Sequence, residues 1–479
     1  MSRIRAAMCV LAVMLVAVGC TGAARPQTGE ELAAAASATP STAPSSTDVS
    51  SGSTPTPGRT GTLPAATSKP AAVSAPPPGA PLPSTGPIKH TGETLFTPAE
   101  NTIGITNSSI TICAHAALTY AAAFNTSADD LNVYWEEVNR AGGVFGRKVN
   151  ITYENDNYSG PDAIAAAEAC KQKKPAMIIG GIGFDQIPSV RDWAEKNRQL
   201  YVHHTATVEG TKGKKYSFTG LPTVEKAGEM FAELALSKFK SKKIGLIGRD
   251  SLNWMPGVKA FDRVAAGRMN IVKRIFTPKD HHNYALEIGE MRRAGVEVLW
   301  FWENALAATE MVQQAKAQNW NPTFMLFPFN LTSQTLGDQA LNPKMYGISV
   351  WNAYSWHDYS GPFAAYATDV KTFERQYEEY RPNSDIRGVG GDLLFLNWQG
   401  MKGLHALLYA CGKDCTRNRL VDVIRSAKYA RSGSVCGVDF TRPGATQRGG
   451  YQVSAMETYR SPAGQVNWRN IATCKEHLI

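Results

Sequence analysis

From Ile110 onward the chain alternates short apolar runs with segments of helical length, and this alternation limits the available folds more than any other feature. Runs suited to strands are Ile110–Ala117, Ala176–Gly180, Leu200–His203, Lys243–Gly248, Val296–Trp302 and Thr323–Pro328. Between them lie Gly160–Gln172, Gln186–Asn197, Thr223–Phe239, Asn283–Ala294 and Asn304–Gln318. Each of these is long enough for about three helical turns or more. Strands separated by helices of this length form right-handed βαβ units, hence parallel sheets. About 370 residues exceed one comfortable core, so two lobes are expected.

The sharpest local pattern is Glu136–Asp156, EEVNRAGGVFGRKVNITYEND. Leu131, Tyr134, Trp135 and Val138 recur at helical spacing. Thr126 and Asp129 precede them in a capping-box arrangement. Gly142-Gly143 suits a helix end, where glycine tolerates left-handed backbone. Val149, Ile151 and Tyr153 then alternate with polar residues, as a half-buried strand does.

This string resembles the first helix and second strand of type I periplasmic binding proteins, especially the branched-chain amino acid and amide receptors of ABC transporters. Glu137, Val138, Asn139, Gly142, Gly143, Gly146, Arg147, Lys148 and Val149 sit in the family's pattern. The resemblance implies an α/β, two-lobed type I periplasmic-binding-protein fold. Each lobe is then a parallel sheet flanked by helices, preceded here by a disordered N-terminal tether. It also implies chain crossings near Leu221–Val224, Trp351–Asp358 and Ser432–Asp439. The first lobe is therefore expected over 108–222 and 353–432, and the second over 223–352 and 433–479.

The N-terminus reads as an export signal over residues 1–19. Arg3 and Arg5 precede an apolar run from Ala6 to Val18, too short to span a bilayer comfortably. Ala17-Val18-Gly19-Cys20 resembles a bacterial lipobox, with Ala17 where leucine is usual. That resemblance implies a lipid on Cys20 and an extracytoplasmic location, anchored to the bacterial cell membrane. Residues 20–107 are expected to form the tether. Their first part is rich in Pro, Ser, Thr, Ala and Gly, and no Phe, Trp or Tyr occurs before Phe96.

Setting aside Cys9 and Cys20, six cysteines remain: Cys113, Cys170, Cys411, Cys415, Cys436 and Cys474. An even count in an exported chain suggests disulfides, and six cysteines allow fifteen pairings. The pairing carried forward is Cys113 with Cys170, Cys411 with Cys415, and Cys436 with Cys474. CGKDC has the spacing CxxxC, unlike redox or zinc motifs.

Catalytic patterns are sparse. GxxxxGK[ST], HExxH and GxSxG do not occur, and GGIGFD at Gly180–Asp185 lacks the third glycine of a dinucleotide fingerprint. His203-His204 and His281-His282 make no obvious two-ligand clamp, because adjacent residues diverge on a strand or a helix. No metal, cofactor or nucleic-acid partner is expected; a net charge of +9 is modest for 479 residues.

A binding site fares better. Ligands of open parallel sheets sit beyond the carboxyl ends of the strands. In the first lobe those positions hold Thr119 and Tyr120, then Phe184 and Asp185, then Thr205, Ala206 and Thr207. In the second they hold Asn253 and Trp254, Trp302 and Glu303, and Phe329. Threonine hydroxyls are candidates for a carboxylate, and Asp185 and Glu303 for an amine. The aromatics are candidates for stacking on a flat or apolar group, against core packing as the alternative. The resemblance implies capture of a small molecule, such as an amino acid, an amide or a related amine or aromatic solute. An ABC permease would receive it. A sensory or scavenging receptor of the same fold is the alternative, and a secreted hydrolase a third reading.

Overall fold

The computed structural model describes residues 86–120, 126–181, 185–204, 207–328, 337–350, 366–387, 390–429, 436–442 and 447–479. The expected signal peptide, Cys20 and the residues up to 85 lie outside that set. Of the expected tether, 20–107, only residues 86–107 are described, and part of that stretch packs on the first lobe. Leu95 and Phe96 are buried, and the Asn418 side chain bonds the backbone of both. Phe96 is the chain's first aromatic, and it supplies the burial that a Pro/Ser/Thr-rich segment lacks.

The first lobe starts with β1 (Ser109–Ala116), α1 (Ala128–Leu131), α2 (Val133–Arg140), β2 (Lys148–Asn155) and α3 (Gly160–Gln172). It continues with β3 (Met177–Gly180), α4 (Ile187–Lys196), β4 (Tyr201–His203), α5 (Val208–Thr211) and β5 (Ser217–Thr219). The strands form one parallel sheet in the order β2-β1-β3-β4-β5. The capping box falls one residue later than the sequence suggests. Ser127 accepts from Asp130 N–H while Asp130 reaches back, and Thr126 takes no part. Ser127 has the extended backbone that a helix cap requires.

The second lobe holds α6 (Val224–Phe239), β6 (Lys243–Arg249), α7 (Met255–Ala265), β7 (Asn270–Thr277) and α8 (Ala285–Arg293). Then come β8 (Val298–Trp302), α9 (Ala305–Ala317), β9 (Thr323–Leu326) and β10 (Tyr346–Ser349). The chain returns to the first lobe for α10 (Tyr366–Tyr380), α11 (Gly391–Cys411), α12 (Arg417–Ser426), β11 (Lys428–Tyr429) and β12 (Val438–Asp439). It ends with β13 (Val453–Arg460) and β14 (Val466–Lys475) in the second lobe. That sheet runs β14-β13-β10-β9-β8-β6-β7. It is mixed rather than wholly parallel, since β13 is antiparallel to both β10 and β14. Five residues between β13 and β14 are too few for a parallel crossover.

Val438 and Phe440 pack with Phe218, Leu420 and Ile424 in the first core, while Cys436 packs against the second, so this stretch touches both cores. Beyond it the returning chain runs beside the first crossing: Gly449 N–H donates to Thr219 O at 2.8 Å, and Thr219 N–H to Gln447 O at 2.9 Å. A Cβ at Gly450 would collide with the Leu221-Pro222 backbone, so only glycine lets the two crossings lie this close. The Trp351–Asp358 crossing lies outside the described residues. Disulfides join Cys113 to Cys170, Cys411 to Cys415 and Cys436 to Cys474, with Cα atoms 5.4, 5.0 and 5.2 Å apart.

The first core has an acid-sensitive point. His405 on α11 is buried among Tyr134, Trp135 and α2, and shares a 2.9 Å hydrogen bond with the Tyr134 hydroxyl. Burial pushes its pKa down to about 4, so it folds neutral. Between that value and an unfolded pKa near 6.5, only the unfolded chain binds the proton, so stability falls as pH drops through this window. Urea melts at pH 6.5 and pH 5 should differ by up to about 2 kcal/mol on this account. His405→Gln should remove its share of that difference, and an unchanged pH dependence in the variant would contradict the assignment.

Candidate functional site

Loops beyond β1, β2 and β3 of the first lobe meet the end of β6 and the loop beyond β7 of the second. Arg249, the last residue of β6, is 1% exposed. Its Nε donates to Glu303 at 2.6 Å, just past β8, and a terminal nitrogen donates to the same carboxylate. Nη1 reaches across to Asp185, before α4 of the other lobe. Burial works against the charge on Arg249, but Glu303, Tyr158 and Asp185 outweigh it and raise its pKa. The guanidinium lies 5.9 Å from the centre of the Trp254 ring. One cation from the second lobe thus holds one carboxylate from each lobe.

A second set of links crosses nearby. Tyr120, beyond β1, stacks on Tyr158 at 4.6 Å and donates its hydroxyl to Asp280 of the second lobe. Lys279 sits over both rings and donates to the Tyr158 carbonyl at 2.6 Å. Burial, then Asp280, raises the Tyr120 pKa, so its proton stays on the phenol. These contacts join the lobes through charge and hydrogen bonds, which water can replace as the lobes part. That is the repertoire of a hinge closing on its contents.

The sequence-derived candidates distribute unevenly over this arrangement. Asp185, Tyr120, Glu303 and Trp254 gather around Arg249 or the adjacent latch. Asp185 and Glu303 already face a guanidinium, so the structure does not offer them as a pair of free sites for an amine. Thr119 is exposed and tied to Asn155 and Asn157 within its own lobe. Thr207 caps α5, accepting from Gly210 N–H at 2.9 Å. Asn253 is buried beside Trp254 at the start of α7. Trp302 is fully buried, and its indole N–H donates to the Trp254 carbonyl at 2.8 Å. Phe231, Trp300 and Phe327 surround it, which places it in the core beneath the cleft. Phe184, Thr205, Ala206 and Phe329 lie outside the described residues.

A model of the family described as "Periplasmic binding protein" matches residues 119–458. The chain belongs to this family. Among solved structures it resembles a fatty acid ABC transporter substrate-binding protein from Thermomonospora curvata. Identity is 16%, TM-score 0.64, covering 78% of this chain and 94% of that one. It also resembles a solute-binding protein from Rhodopseudomonas palustris BisB5 in complex with 3,4-dihydroxybenzoic acid, at 14% identity and TM-score 0.61, covering 77% and 98%. A third is a branched-chain amino acid ABC transporter protein from Thermus thermophilus with bound valine, at 13% identity and TM-score 0.62, covering 78% and 97%. At these identities the likeness establishes the type I fold. No curated protein sequence matches. The family and these neighbours are solute-binding proteins.

Within this binding protein, sequence reasoning missed Arg249, Tyr158, Lys279 and Asp280. Arg249 had a usable signal: it is the charged residue that ends an apolar strand on the ligand side. Lys279 and Asp280 follow β7, an edge strand whose polar residues disguise it. A second polar group lies under the cleft floor. His115 at the end of β1 bonds Asp156 at 2.7 Å and the Tyr201 hydroxyl at 2.8 Å. This superficially resembles a hydrolytic triad. All three side chains are fully buried, and burial pushes Tyr201 well above its ordinary pKa, so the hydroxyl is a poor nucleophile without solvent access. The network instead fixes the loop carrying Asp156 and Tyr158.

Proposed function

We propose that this binding protein captures a small carboxylic acid between its lobes outside the cytoplasm and delivers it to an ABC permease. The observation that supports this most is the Asp185–Arg249–Glu303 cluster. When the lobes part, Asp185 leaves with its own lobe and Arg249 keeps a single carboxylate. A ligand carboxylate then takes the place of Asp185, by the bidentate geometry arginine favours. Amino acids, aromatic acids and aliphatic acids all satisfy that requirement. Of the solved neighbours named above, one is described as a fatty acid ABC transporter substrate-binding protein, and two hold 3,4-dihydroxybenzoic acid and valine.

The test is a thermal-shift screen across acids, amides, amines and polyamines. A ligand that binds only the folded protein stabilises it by about 2.7 kcal/mol at a hundred times its Kd. Acids are expected to raise Tm and amines without an acid group to leave it unchanged; the reverse pattern would sink the carboxylate reading. Anchoring rests on Ala17–Cys20. Cys20→Ser should release the protein from the membrane fraction or block its processing, and wild-type fractionation of the variant would refute lipidation there.

A further inference from the structure

We propose that the first lobe contains a subsite for the aliphatic tail of the ligand, running from the cleft floor between the sheet and α11. A cavity of about 90 Å³ lies there. On the sheet side its wall is Met177 and Ile179 of β3 and Val202 of β4, every second residue of one face. On the helix side it is Met401, Leu404 and Leu407 of α11. Gly400 and Gly403 share that stripe, and their missing side chains leave the space between helix and sheet unfilled. A Cβ at Gly400 would meet only Cε1 of His204, at 3.8 Å, so glycine is not required there by crowding.

The cavity has a direction. Met177, Leu404 and Leu407 at its inner end are buried, whereas His204, Gly220 and Gly400 keep partial exposure. His203, His204, Gly220 and Leu221 lie at and beyond the carboxyl ends of β4 and β5, where the chain passes to the second lobe. The open end therefore faces the level at which this fold holds ligands. Its polar lining is confined to two histidines. Burial, then His115, holds the His204 pKa down to about 4, so this side chain is uncharged at neutral pH and suits an apolar occupant. An apolar-walled space several times larger than one water suits alkyl groups. The class implied is a monocarboxylic acid with an aliphatic tail. The head-group part rests on the function proposed above, and the tail part does not.

The experiment uses the full chain with 13C-methyl methionine and three probes: butanoate, octanoate and n-octanol. Octanoate and octanol should both shift the Met177 and Met401 methyl resonances, and butanoate should not. Octanoate should bind on the order of a hundredfold tighter than butanoate, from about fourfold per buried methylene. Gly400→Leu should abolish the methyl shifts and bring octanoate to the affinity of butanoate, while butanoate binding stays unchanged. Silent methyls with both long-chain probes, or equal affinity for octanoate and butanoate, overturn the tail subsite. Shifted methyls with octanoate binding no tighter than octanol support the subsite and overturn the carboxylate reading instead. If Gly400→Leu does not fold, the wild-type methyl response and chain-length dependence still decide.

Discussion

Arg249→Gln should lose both ligand binding and stability, and the two losses should separate in a double variant. The single change leaves Glu303, 3% exposed, with its charge uncompensated in the second lobe. Breaking a buried ion pair from one side costs about 3–5 kcal/mol. At about 2–4 °C per kcal/mol for a domain of this size, that is a readily measured fall in Tm. Adding Glu303→Gln removes the orphaned charge and should recover most of the stability. It should not recover affinity for an acid, because no guanidinium is left to hold the carboxylate. Calorimetry on the refolded double variant is the deciding measurement, and native-like affinity there would show that Arg249 only braces the second lobe. Asp185→Asn tests the competition directly. It removes the rival carboxylate from the other lobe, so acids should bind several-fold tighter; weaker binding would mean that Asp185 contacts the ligand itself.

The legible parts of this chain are those where one local signal decided the structure. Gly160–Gln172 emerges with the bounds the sequence suggested, because Ser159 caps it and Pro161 starts it. The strands β1, β6 and β9 lie within about two residues of their apolar runs, since buried parallel strands have few polar interruptions. Edge strands carry no such run. β7 is broken by Lys273 and Arg274, and β13 and β14 form a hairpin that a βαβ reading does not anticipate. The site was half legible for a related reason. Position past a strand end is visible in the sequence, and it found Asp185, Trp254 and Glu303. Which way a side chain turns at that point is not visible, because it depends on the helix packed above.

Trp302 shows what that orientation decides, and Trp302→Ala should be among the most destabilising single changes in the second lobe. The side chain has no exposed surface and packs edge-on or tilted against Phe231, Trp254, Trp300 and Phe327. Above it α7 passes so close that a Cβ on Gly257 would strike the indole ring, and one on Gly228 would strike the Gly257 carbonyl. The indole therefore supports the α6–α7 contact and, through its bond to the Trp254 carbonyl, the first turn of α7. Truncating a buried tryptophan costs about 3–5 kcal/mol, from lost transfer energy and the cavity left behind. Ligand affinity of the protein that remains folded should change little, because the ring faces helix and sheet rather than the cleft. Trp254→Ala should behave differently: Trp254 lies within cation–π range of Arg249, so its loss should weaken acid binding as well as folding. Urea melts and calorimetry on both variants separate the roles. A Trp302→Ala protein with wild-type stability and reduced affinity would move that residue from the core into the cleft, and with it the apolar wall of the site.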